Sequence, residues 1–253
     1  MPTLKTKLHY LVWRPAQRLS TATRYPLIVM LHGLGGEPRN FIDHGKMPQR
    51  FADAVAAGQM PPCIVVMVEG RNGYWSDWTD GAHPWATMVA ERFLMDVRRK
   101  LPVTRDPAKT VLMGPSMGGF GALSIGLQRA DLFGLVVALS PTDMQFAAEG
   151  SPRRKVYTDV FGKPIDMKAV KRVNPYHLVA AGKGKGQRFW ISWGTREGRK
   201  FKAGSERLVK AMKRRKLAVQ SQPVAGGKHG WASTWEKSHP WWIKGLGAVW
   251  RGK

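Results

Sequence analysis

Ser116 lies in the run Val111-Leu112-Met113-Gly114-Pro115-Ser116-Met117-Gly118-Gly119-Phe120-Gly121-Ala122, where apolar strand-forming residues lead into Gly-x-Ser-x-Gly and then into small helix-forming residues. A serine hydroxyl is a weak nucleophile at neutral pH and needs an imidazole to take its proton. The imidazole in turn needs a carboxylate to orient it and to stabilise its protonated form. Among the seven histidines, His229 is best placed, in the turn Gly226-Gly227-Lys228-His229-Gly230-Trp231 directly after a strand-like segment. Glu197 follows the strand-like run Phe189–Gly194 by three residues and is the leading acid, with Asp143 and Asp159 as alternatives. Addition of a hydroxyl to a carbonyl also needs two N–H donors near the oxygen that becomes negative. The residue after the nucleophile, Met117, supplies one, and Leu34 in the turn His32-Gly33-Leu34-Gly35-Gly36 is the candidate for the other. The chemistry indicated is acyl transfer through a covalent serine intermediate, with no metal and no cofactor.

Alternating elements must position these groups. Pro26–Leu31, Ile64–Glu69, Val111–Met113, Leu135–Ser140, Phe189–Gly194 and Ala218–Val224 read as strands, most of them continuous apolar runs as expected of strands buried on both faces. Leu8–Trp13 reads as an opening strand. Helical patterns cover Phe41–Ala57, Ala86–Lys100, the segment from the nucleophile to about Ala130, Ser205–Lys216 and Trp235–Val249. Such alternation predicts one α/β domain over residues 1–253, a mostly parallel sheet with helices on both faces. Thr142–Arg188 breaks the rhythm, is basic and Gly-rich, and is expected to be an insertion packed over the C-terminal edge of the strands, where ligands bind in such sheets.

The chain has 253 residues, 43% of them apolar, enough for a substantial core. No apolar stretch approaches the ~20 residues of a membrane span. The N-terminal residues lack the features of a secretory signal, and the single cysteine, Cys63, excludes an internal disulfide, so a reducing cytoplasm is the expected location. Cys63 precedes the apolar run Ile64–Val68 and reads as a buried, inert thiol. Net charge is +24, from 41 Lys and Arg against 17 Asp and Glu, spread along the chain. Such a surface attracts nucleic acid or other polyanions non-specifically, and it can equally be a solubility adaptation with no partner.

The segments His32–Gly36, Tyr74-Trp75-Ser76-Asp77-Trp78, Gly114–Gly119 and Gly227–Trp231 with Trp235 occur in an order that resembles the esterase family of esterase D (S-formylglutathione hydrolase), feruloyl and acetyl-xylan esterases and the antigen 85 mycolyltransferases. The resemblance spans roughly Pro26 to Gly247. It implies an α/β-hydrolase fold and serine-dependent acyl-ester chemistry, with Ser116 as nucleophile, His229 as base, and Leu34 and Met117 as oxyanion donors. Two positions depart from the family pattern, Pro115 and Glu197, where other residues (Asp at 197) are usual. Trp75, Trp78 and Trp231 are expected to line a substrate pocket, with core packing as the competing role, especially for Trp231 and Trp235 at i, i+4. The reading that emerges is a serine carboxylesterase acting on esters or thioesters of small acyl groups. An acyltransferase using the same triad with an alcohol acceptor, and a non-catalytic polyanion-binding protein, are the alternatives.

Overall fold

Leu27–Leu31 and Ile64–Val68 are unbroken apolar strands with every side chain buried, which requires helices on both faces of the sheet that contains them. In the computed structural model, which describes residues 8–16, 19–20, 22–142 and 154–252, that sheet has seven strands. They are β1 (Tyr10–Trp13), β2 (Leu27–Leu31), β3 (Ile64–Val68), β4 (Thr110–Pro115), β5 (Leu135–Leu139), β6 (Arg188–Gly194) and β7 (Ala218–Val224). Their order is β1-β3-β2-β4-β5-β6-β7. Only β1 runs antiparallel, pairing Tyr10 with Val68, while all later pairs are parallel. The chain therefore leaves every strand from β2 to β7 at one common edge, and this brings residues 32, 116, 140, 197 and 229 into one neighbourhood.

Alternate residues of each strand serve different helices. Leu27, Val29 and Leu31 join a core with α4 (Leu94–Lys100), α5 (Met117–Gln128), α8 (Pro175–Ala180) and α9 (Arg199–Arg214). Ile28 and Met30 face Phe41, Phe51, Trp242 and Leu246, carried on the opposite side by α1 (Asn40–Asp43), α2 (Met47–Ala56) and α10 (Glu236–Trp250).

Several elements differ from their sequence patterns. Phe41–Ala57 is two helices, broken where Lys46 adopts φ 50° and where Pro48 occupies the first turn of α2, the place a missing N–H is tolerated. The helix before β4 starts as α3 (Trp85–Thr87), passes through a π-helical turn at Met88–Phe93 and continues as α4. A second π-turn, Trp231–Trp235, precedes α10, and α9 begins six residues before its expected start. Periodicity at 3.6 residues does not register such local widening or extension.

The described part of the 142–188 segment holds α6 (Arg154–Phe161), α7 (Met167–Val173) and α8, the last two capped by the side chains of Asp166 and Asn174. It does not form a single cover. Helix α6 lies on the loop after β3, with Thr79 N–H donating to the Val160 carbonyl at 2.9 Å and the Tyr74 and Tyr157 hydroxyls 3.2 Å apart. Helix α8 packs instead on α5, α7 and α9. Among the described residues no helix is long and apolar enough to cross a membrane.

Candidate active site

Strand β4 ends in a turn that few sequences can make. Ser116 sits at φ 53°, ψ −116°, caps α5, and is buried except for a small exposed fraction. A Cβ added at Gly114 or Gly118 would collide with the Leu31 carbonyl oxygen, so only glycine lets β2 and α5 approach this closely. Pro115 is tolerated for a geometric reason. Ser116 N–H donates to the Leu139 carbonyl of β5 at 2.8 Å, so the preceding nitrogen points the other way, toward β2, whose pairing with β4 ends at Met113. The proline lacks a donor that would have had no strand partner.

His229 reaches this serine from the loop after β7. Its Nε2 lies 3.0 Å from Ser116 Oγ. The loop is fastened on both sides: Lys228 N–H donates to Ser233 Oγ at 2.6 Å, and Thr234 Oγ1 donates to the Lys228 carbonyl at 2.6 Å. Phe201 of α9 stacks on the imidazole with ring centres 4.0 Å apart and 27° between planes, and Trp235 meets it edge-on at 5.3 Å. The other imidazole nitrogen, Nδ1, faces Glu197 Oε2 at 3.6 Å.

Glu197 has a fully buried side chain. Its Oε1 accepts hydrogen bonds from Ser140 Oγ and from the Gly194 N–H, the latter at 3.0 Å. Ser140 Oγ accepts in turn from Trp235 Nε1 at 3.0 Å. Burial alone would raise the pKa of this carboxyl; the facing His229 imidazole and the hydrogen bonds from Ser140 and Gly194 outweigh it and hold the group below the ordinary carboxylate range. Of the alternative acids, Asp143 lies outside the described residues, and Asp159 is an exposed residue of α6 ion-paired to Lys155 at 2.9 Å.

The turn after β2 completes the neighbourhood. His32 is buried, with Nδ1 2.8 Å from the Gly33 carbonyl and Nε2 accepting from Gly70 N–H at 3.0 Å. Burial lowers its pKa, against hydrogen bonds to the Gly33 and Gly70 carbonyls that act to raise it, so the ring is a neutral brace between two loops. Gly33 lies against Ser116: a Cβ there would sit 3.6 Å from Ser116 Cβ. Leu34 follows directly and Gly35 N–H is held by Asn72 Oδ1 at 2.6 Å. Met117 is the first residue of α5, so its N–H has no acceptor inside the helix.

The aromatic assignments need correction. Trp75 lines no pocket; it is 1% exposed, its ring fills the space that Gly70 and Gly121 leave open, and its Nε1 donates to the His32 carbonyl at 3.0 Å. Trp231 is spent on packing, edge-on to Phe41 at 5.6 Å and to Trp235 at 4.9 Å. Trp78 does border a cavity of about 460 Å³ together with Gly35, Gly70, Arg71, Asn72 and Val156. Ser140 and Phe201 are the contributors that pattern reading missed, while Trp235, singled out there for packing or a pocket, instead lends its indole N–H to Ser140. Among the described residues, no group of three or more His, Cys, Asp or Glu side chains is arranged to hold a metal ion.

A family model described as "Putative esterase" matches residues 2–246. The chain belongs to that esterase family. Its class is that of ester hydrolases. The esterase superposes on a fluorophosphonate-binding serine hydrolase of Staphylococcus aureus with TM-score 0.80 at 18% identity, covering 97% of this chain and 94% of the other. It matches an S-formylglutathione hydrolase from Agrobacterium tumefaciens with TM-score 0.77 at 19% identity, covering 98% and 92%. At these identities the superpositions establish the α/β-hydrolase fold. In sequence, it is 25% identical over 114 residues to an endo-1,4-beta-xylanase/feruloyl esterase of Xylanibacter ruminicola, a match that covers 44% of this chain and 16% of that protein.

Proposed function

We infer that the esterase is a serine carboxylesterase that hydrolyses esters, and thioesters by the same addition, of small acyl groups through an acyl-enzyme. The observation that carries this reading is the 3.0 Å approach of His229 Nε2 to Ser116 Oγ, with Nδ1 of the same ring facing a buried carboxylate. With Nδ1–H directed at Glu197, Nε2 is the basic nitrogen. As Ser116 Oγ bonds to the substrate carbonyl carbon, its proton moves to Nε2 and the carbonyl electron pair shifts to oxygen. The N–H groups of Leu34 and Met117 stabilise that oxyanion, helped by the positive end of α5. When the carbonyl re-forms, the C–O bond to the alcohol breaks and the alkoxide takes the proton from Nε2. A water molecule then repeats the sequence on the acyl-serine, which releases the acid and restores Ser116. Glu197 stays ionised throughout and offsets the charge of the imidazolium.

Ser116→Ala is expected to lower turnover of p-nitrophenyl acetate by at least about a thousandfold, leaving only catalysis from the oxyanion site. It should also abolish covalent labelling by a fluorophosphonate probe. Labelling that persists in the folded variant, or turnover that stays within tenfold of the parent, would refute the assignment of the nucleophile.

A further inference from the structure

The net charge of +24 is not used by the serine, histidine and carboxylate of the site, and the fold shows where part of it gathers. Because β2 and β4–β7 are parallel, the segments entering these strands converge on the edge opposite Ser116. Arg105 and Lys109 lead into β4, Lys185 and Arg188 into β6, and Arg215 and Lys216 into β7. The registers place them together: Val103 bridges to Tyr25 just before β2, and Arg188 sits level with Leu135 and Ala218. All six side chains are exposed. The carboxylates of this edge are already engaged. Asp96 is shared by Arg99 and Lys100, Asp131 is held by Arg129, and Asp106 caps the turn before β4 through Ala108 N–H. The loops of the catalytic edge also carry cations such as Lys46, Arg71, Arg196 and Lys228, but there Glu37, Glu69, Asp77, Asp80 and Asp159 of α6 accompany them.

Two clefts open on the basic edge. One, of about 620 Å³, is bordered by Arg92, Arg98 and Arg105. The other, of about 490 Å³, is bordered by Lys185, Arg188, Arg215 and Lys216. Two to three inter-strand spacings separate the strands that carry them, roughly 10–15 Å. Neither lining contains an aromatic side chain, and Met95 is the one large apolar side chain exposed there among the described residues, so the edge offers charge rather than an apolar anchor.

We propose that the edge formed by the strand N-terminal ends is a binding surface for the phosphate backbone of duplex nucleic acid, independent of the esterase site. A duplex carries a charge about every 1.7 Å along its axis, so several phosphates face these clefts at once. Base contacts are not indicated, and binding follows the backbone without sequence preference.

The test is fluorescence anisotropy of a labelled 30-base-pair duplex with the full chain, titrated at several salt concentrations. The variant Arg105→Gln/Lys109→Gln/Lys185→Gln/Arg188→Gln is compared with Lys46→Gln/Lys163→Gln/Lys168→Gln/Lys237→Gln, which removes the same charge elsewhere. The first variant should weaken binding at least tenfold at about 0.1 M salt and flatten the salt dependence by about 0.9 per lost contact; the second should change it less than threefold. Saturating duplex should leave p-nitrophenyl acetate turnover of the parent unchanged, and that turnover reports that each variant is folded. Equal losses in both variants would overturn the proposal in favour of diffuse net charge. Absence of duplex binding by the parent, or preferential binding to phosphatidylserine vesicles, would overturn it as well.

Discussion

Replacing Ser140 by alanine isolates the support of the acid without touching serine, histidine or carboxylate. The hydroxyl links Trp235 Nε1 to Glu197 Oε1, in a residue that is itself fully buried. Its loss removes one of the two hydrogen bonds that hold Glu197 ionised, while the burial that opposes ionisation remains. A hydrogen bond to a charged group contributes about 1.5–3 kcal/mol, and stranding the indole N–H adds about 1 kcal/mol or more. The variant should therefore unfold about 5–16 °C earlier at pH 7, at about 2–4 °C per kcal/mol for a domain of this size. The sign of the pH effect follows from the depressed pKa. A carboxyl held below its unfolded value stabilises the fold above the ordinary carboxylate range, and that stabilisation is lost as pH falls through the folded value. Ser140→Ala raises the folded value, so the margin at neutral pH shrinks and acid inactivation begins at higher pH. The assays are thermal unfolding from pH 4 to 8 and the pH profile of kcat/KM for p-nitrophenyl acetate. Trp235→Phe, which keeps the ring and removes only the N–H, should shift both in the same direction by less. If Ser140→Ala leaves the acid limb and the melting temperature where they were, the hydroxyl does not support the carboxylate and the reasoning fails.

Three further outcomes rest on packing and burial. Gly118→Ala forces a methyl group into the Leu31 carbonyl, a backbone atom that cannot move aside, and should cost more than about 3 kcal/mol, seen as loss of soluble protein or a collapse of the unfolding midpoint. Gly35→Ala, where open space surrounds the position but φ is +73°, should cost only about 1 kcal/mol by the same measurement. Burial pushes the Cys63 thiol far above its ordinary pKa, so it should resist iodoacetamide at pH 8 in the folded protein and react fully once unfolded.

The parallel sheet and the positions of Ser116, Glu197 and His229 were readable because each signal is local. An apolar run, a glycine turn and a reactive side chain lie within a dozen residues of one another. Ser140, Trp235 and Phe201 carried no such signal, since the contact from Ser140 to Glu197 spans 57 residues and that from Trp235 to Ser140 spans 95. A serine after a strand looks the same whether its hydroxyl faces solvent or a carboxylate. Trp75 shows the complementary difficulty. Its size suits a pocket or a core equally, and the decision lies in Gly70 and Gly121, whose missing side chains make the cavity it fills. Apart from the early start of α9, the helix boundaries that shifted did so at π-turns and at a left-handed residue, which hydrophobic periodicity averages away.

The brace at His32 has a consequence for how this scaffold tolerates change. One neutral ring and one indole tie the turn after β2 to the loop after β3, through Gly70 on one side and Trp75 on the other. Residues up to Trp75 thus form a fixed mount, whereas Thr79–Pro84 beyond them are mostly exposed and bend away over the surface. New sequences grafted between Trp78 and Trp85 are expected to remodel the rim of the cleft while the turn after β2 keeps its place. Diversity in substrate choice and constancy of the reaction centre are, in this architecture, assigned to adjacent stretches of one loop.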